Sequence, residues 1–162
     1  MMLRNWRDRR RQARKARAAA DLQAWHDTVG ALLAMCQEPL RSRRVSGDIG
    51  VPLDRIDRTL MRFRNESAAA RSALRTDGEL TAQVRAMTDG LFELRNQTVS
   101  FMLRWQTAYQ LEERFTPSME ARRAADEARL VASRSARRLA DDWKRLAPRV
   151  ERLIGEPRRG EV

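Results

Sequence analysis

The sequence predicts an all-α fold: an antiparallel four-helix bundle with long helices, coiled-coil-like packing and a basic N-terminal helical extension. Three observations carry this. Apolar residues recur at spacings of three and four along most of the chain, the signature of helices that bury one face. Only seven glycines and five prolines interrupt 162 residues, so the elements between them are long. No stretch alternates apolar and polar residues as a half-buried strand does. The length suits one domain with a real core. A content of 42% apolar and 34% charged residues fits helices with wide solvated faces better than a disordered chain.

The first helix is expected from about residue 3 to 37. Ala18, Leu22, Trp25, Val29, Leu32 and Cys36 form one line on its surface, and Glu38-Pro39 is read as its end because proline lacks an amide hydrogen. Residues 40–51, with Gly47 and Gly50, make the one long connection. Leu40, Val45, Ile49 and Val51 are expected to hold it against the bundle. The second helix spans about 52–75, with Pro52 in its first turn and Leu53, Ile56, Leu60, Phe63, Ser67, Ala70 and Leu74 on its buried face. Thr76 and Glu79 match a capping box.

The third helix, about 77–115, carries Leu80, Val84, Met87, Leu91, Leu94, Thr98, Phe101, Trp105 and Ala108 in line. Thr116-Pro117 predicts the next start. The fourth helix runs from about 117 to 147, with a further turn or two after Pro148. Ala125, Ala128, Ala132 and Ser135 give its first half a small-residue face that permits close approach. Leu139, Trp143, Leu146, Val150 and Leu153 make the remainder bulkier. The domain organisation is therefore a basic extension (1–17), a bundle (18–155) and a tail expected to be flexible (156–162).

The apolar line of the first helix changes character toward its N-terminus. It continues as Arg14, Arg11, Arg7 and Arg4. Residues 4–17 hold eight bases, Arg4, Arg7, Arg9, Arg10, Arg11, Arg14, Lys15 and Arg17, against Asp8 alone, within a chain of net charge +11. Charge this uneven marks an arm that seeks an anionic partner. Arginine forks match phosphate oxygens, and Met2, Leu3 and Trp6 offer an apolar tip for a membrane or partner surface. Lys15 and Lys144 are the only lysines among 33 bases, a bias that a GC-rich genome also produces. In an up-down-up-down bundle the arm shares a pole with the end of helix four. Lys144, Arg145, Arg149 and Arg152 should join it there, with Arg71, Arg75, Arg158 and Arg159 nearby and Asp141, Asp142, Glu151 and Glu156 as partial offset.

Other chemistry is sparse. Cys36 is the single cysteine, which excludes an intrachain disulfide and suits a core thiol. No apolar run approaches the roughly 20 residues of a spanning helix, and the basic start lacks the apolar stretch of a signal peptide. A cytoplasmic protein is expected. His26 is the only histidine and sits at the edge of the apolar line, as a boundary residue does. Glu112-Glu113, Asp126-Glu127 and Asp141-Asp142 read as surface charge, because a carboxylate di-metal bundle needs two Glu-x-x-His pairs. Thr98, on the core line with Asn96, Gln97 and Ser100 around it, is a candidate determinant of register or oligomeric state. Trp105 and Tyr109 are candidate core or interface aromatics.

No glycine-rich phosphate loop, zinc spacing or nucleophile–base pair is present, and no cofactor, metal or small-molecule substrate is implied. The expected function is a non-enzymatic helical interaction or scaffold protein that self-associates or docks on a protein partner. Nucleic-acid binding is the first alternative, through phosphate contacts of low sequence specificity by Arg4, Arg7, Arg10, Arg11, Arg14, Lys15, Arg17, Lys144, Arg145, Arg149 and Arg152. Attachment to an anionic membrane surface through the amphipathic N-terminus is the second.

Overall fold

A computed structural model describes residues 2–42 and 49–155, which form four helices: α1 (Met2–Arg41), α2 (Gly50–Ala73), α3 (Gly78–Glu113) and α4 (Met119–Gly155). No strand occurs among the described residues. The side chains of Met2, Leu3 and Arg4 lie outside the described part, as do Val45, Gly47 and the tail with Glu156, Arg158 and Arg159.

Two helices run through prolines. α1 continues past Pro39, which the sequence reads as its end, to Arg41, and α4 carries the turns expected after Pro148 as one continuous helix to Gly155. A proline forfeits one backbone hydrogen bond. Burial beyond it, of Leu40 in α1 and of Val150 in α4, offsets that loss. α2 begins two residues before Pro52. Leu40 and Ile49 seat the connection on the bundle, whereas Val51 and, in α4, Leu153 are exposed. Ile154 packs on the core in place of Leu153.

Neighbouring helices are antiparallel. Trp25 of α1 stacks on Phe63 of α2 at 6.4 Å between ring centroids. Phe63 meets Phe92 of α3 at the same separation. Thr88 donates to the Ser67 hydroxyl (3.3 Å), and Arg95 grips Asp57 with a forked contact at 2.7 and 2.9 Å, which joins α2 to α3. Arg122–Glu112 ties α3 to α4 at one end, and Arg149–Glu79 ties them at the other. Trp143 of α4 closes the circle with an edge-on contact to Trp25 at 5.7 Å. α1 also touches α3 across the bundle, and α2 and α4 stand apart among the described residues, so the cross-section is a rhombus with α1 and α3 on its short diagonal. Gly90 of α3 lies so close to α4 that a Cβ there would sit 2.5 Å from Leu139 Cδ2.

The apolar lines bury as their spacing predicts. Leu22, Trp25, Val29, Leu32 and Cys36 are inside, with Ile56, Phe63 and Ala70 from α2, Leu80 to Phe101 from α3, and Ala125, Ala132, Leu139, Leu146 and Val150 from α4. Each large side chain removed from water contributes about 1.5–3 kcal/mol.

The turns use different caps from those expected. Asp77, in extended backbone, accepts from the Leu80 amide at 2.9 Å and starts α3. Thr76 therefore forms no capping box, and Glu79 is free to hold Arg149. Ser118, rather than Thr116, accepts from the Ala121 amide (3.1 Å) at the head of α4. Thr116 instead donates its hydroxyl and its amide to the Leu111 carbonyl. Together with the Phe115 amide on Glu112, this is a Schellman closure of α3. Its left-handed position, normally glycine, is Phe115 at φ 57°, with the ring 93% exposed.

Two outcomes follow for urea unfolding followed by circular dichroism. Phe63→Ala should cost about 3–5 kcal/mol, because a fully buried ring at the meeting point of α1, α2 and α3 leaves a cavity. Phe115→Gly should raise stability by about 1 kcal/mol, because it relieves left-handed strain and forfeits almost no burial.

Candidate functional site

The arginine arm is the N-terminal part of one continuous helix. From Trp6 to Arg17 every side chain is exposed, and burial starts at Ala18. At about 1.5 Å per residue, residues 2–17 extend roughly 24 Å. Arg7, Arg11 and Arg14 continue the line of Trp25 and Val29, so they occupy the face that is buried further along. Nothing from α2, α3 or α4 meets them among the described residues. Guanidinium groups fill this line because no apolar partner stands opposite it.

The arm is electrostatically uncompensated. None of Arg7, Arg9, Arg10, Arg11, Arg14, Lys15 and Arg17 forms an ion pair among the described residues, whereas seven arginine or lysine pairs form from Asp54 onward. α1 has no acidic residue in its first turn, so this row of positive charge stands at the positive end of the helix dipole. Like charges three and four residues apart add repulsion of about 0.2–0.5 kcal/mol per pair. Arg10 lies over the Trp6 ring with its guanidinium carbon 4.1 Å from the centroid, a cation–π contact that stiffens the near end of the arm.

The basic residues of α4 stand near the same pole but in a different state. Arg149 donates to Glu79 Oε1 (2.9 Å) and Gln83 Oε1 (2.8 Å) and pins the end of α4 to the start of α3. Lys144 pairs with Asp141 and Arg145 with Asp142. Arg152 turns its Nε back to the Pro148 carbonyl. The pole is thus divided between an uncompensated arm and a largely paired α4 end. At the opposite pole, Glu112 accepts from Arg122, and this contact holds its carboxyl below the ordinary range.

Thr98 is fully buried and faces the Cys36 thiol across the α1–α3 diagonal. Burial pushes the thiol up to about 11, opposed by the Thr98 hydroxyl and by the Arg95 charge. Trp105 is half-buried and lies 6.4 Å from Phe101. Tyr109 is exposed one turn further on, beyond the cover of α1 and α2. His26 sits against Trp143 at 4.9 Å, with its ring nitrogens beside Asp27 and Glu151. No group of three or more His, Cys, Asp or Glu side chains able to hold a metal occurs among the described residues. No described helix is long and apolar enough to cross a membrane.

Comparison with protein-family models, with curated proteins and with solved structures finds no match to this chain. Its functional reading therefore rests on geometry and charge. One basic cluster is absent from the sequence reading. Arg41, Arg129 and Arg137 come together between α1 and α4, which pattern alone does not show because Arg41 lies beyond Pro39.

Cys36 gives a test of the core. The folded protein holds the thiol proton more tightly than the unfolded chain, whose thiol keeps a value near 9.0. The associated stability is complete below pH 9.0 and is lost as the pH rises toward about 11. The urea midpoint of the wild type should therefore fall more steeply across that interval than that of Cys36→Ala.

Proposed function

We propose that this protein is a non-enzymatic interaction module whose arginine helix docks on the phosphate backbone of a nucleic acid with little sequence specificity. The observation that carries this reading is the density of exposed bases in residues 6–17, where seven guanidinium or ammonium groups stand beside one acid, Asp8, and form no ion pair among the described residues. An isolated row of guanidinium groups at the positive end of a helix is stabilised by polyanion charge, which offsets both the self-repulsion and the dipole. Each phosphate neutralised also releases condensed counterions. The arm carries no helix-turn-helix or comparable reading head, so it contacts backbone rather than base edges.

A second reading, docking on a protein partner or a second copy, has its own observation at the other pole. Phe115 is 93% and Met119 77% exposed, and the left-handed backbone at Phe115 holds that ring outward. Strained, exposed apolar residues at a turn suit recognition better than stability.

Fluorescence polarisation of a labelled DNA duplex separates these readings. The intact protein should bind with an affinity that falls steeply between about 50 and about 200 mM salt, and Arg7→Gln/Arg11→Gln/Arg14→Gln should reduce the logarithmic salt slope by about 3. An unchanged slope would sink the nucleic-acid reading. Stronger sedimentation with phosphatidylserine vesicles than binding to DNA, lost in Trp6→Ala, would point the arm to a membrane instead. Self-association that disappears in Phe115→Gly would support the second reading.

A further inference from the structure

The cleft between the C-terminal turns of α1 and the middle of α4 has a volume of about 510 Å³ and is lined by Gln37, Leu40, Arg41, Arg129, Leu130, Ser133, Ala136 and Arg137. That volume is in the range of small-molecule sites. Its charged lining consists of three guanidinium groups and no carboxylate. Arg41 bonds to the neutral Gln37 side chain at 3.1 Å, which orients the fork without cancelling its charge. Arg129 and Arg137 form no ion pair among the described residues. Asp126 and Glu127, the α4 carboxylates just upstream of Arg129, form no ion pair with it among the described residues, and the Asp126 charge acts on the Arg122 guanidinium. On the wall supplied by α4, Arg129, Ser133 and Arg137 recur every four residues, so two guanidinium groups flank a hydroxyl along about 12 Å of helix. The floor is apolar, formed by buried Leu40 and Ala136. Leu130, 54% exposed, makes an apolar rim.

We infer that this cleft is a binding site for a diphosphate group, free or carried on a small organic body. Two arginines set two helical turns apart and a third on the facing helix suit several phosphate oxygens spread over more than one phosphorus, and guanidinium forks match such oxygens in pairs. Ser133 adds a donor between them. The Leu40–Leu130 side accepts the apolar part of an organic diphosphate. The site is separate from the N-terminal arm, being formed at the other end of α1.

Isothermal titration of the full-length protein with ADP, inorganic pyrophosphate and adenosine tests this. ADP and pyrophosphate should bind, adenosine should not, and Arg129→Ala/Arg137→Ala should weaken binding by at least about tenfold, the loss expected for charge-assisted contacts. Arg123→Ala/Arg134→Ala, which removes exposed α4 arginines outside the cleft, should leave affinity within about twofold, as surface changes away from a site do. Tighter binding of ADP than of pyrophosphate identifies an organic diphosphate, and equal binding identifies the free ion. The proposal fails if neither diphosphate binds, if adenosine binds as well as ADP, or if the arm variant Arg7→Gln/Arg11→Gln/Arg14→Gln, rather than the cleft variant, abolishes binding.

Discussion

The layer of rings formed by Trp25, Phe63, Phe92 and Trp143 sets the register of the whole bundle. One ring comes from each helix, and Trp25 and Phe63 are fully buried within it. Sliding any helix by a turn would pull its ring from this layer and open a cavity, at a cost comparable with a large-to-small core substitution. The layer therefore decides what lies outside the bundle as well as inside it. With Trp25 locked to Phe63, the first sixteen residues of α1 run past the end of the core. At the other pole, α3 and α4 run on together beyond the cover of α1 and α2, which leaves Tyr109, Phe115 and Met119 in solvent.

Electrostatics adds little to holding this fold and much to how the molecule meets others. The surface pairs, such as Lys144–Asp141 and Arg145–Asp142, are of a kind worth only about 0–1 kcal/mol each. The Arg95–Asp57 fork is half-buried and geometrically stricter, and it fixes α2 against α3 rather than leaving a cation available. Unpaired arginines also stand along α2, α3 and α4, but the arm at one end of α1 holds the densest run of them. A protein with 33 bases and 22 acids thus carries its densest positive charge at one pole.

Much of this architecture was legible in the residue pattern because helix burial follows a fixed period. The line from Ala18 to Cys36 and the line from Leu80 to Ala108 bury almost residue for residue. The change from Leu22 to Arg14 along one face located the start of the exposed arm. The misread places are those where a local signal competes with packing. Pro39 is a strong stop signal, yet burial of Leu40 carries α1 through it. Thr76 and Asp77 both suit a cap, and backbone geometry one residue along gave the role to Asp77. Phe115 occupies a left-handed position that glycine usually takes, so no local rule could identify it.

The sequence alone determined the number of helices, their buried faces, the antiparallel order and the exposed basic character of the N-terminal segment. All of these depend on near-neighbour spacing and on short connections. Tertiary structure decided which arginines stay free. Pairing of Arg149 with Glu79 joins residues 70 positions apart, and the meeting of Arg41 with Arg129 and Arg137 needs α1 to run beyond its proline and α4 to lie alongside it. Charge compensation depends on distances between helices, and those are set by side-chain packing across the bundle rather than by the order of residues along any one helix.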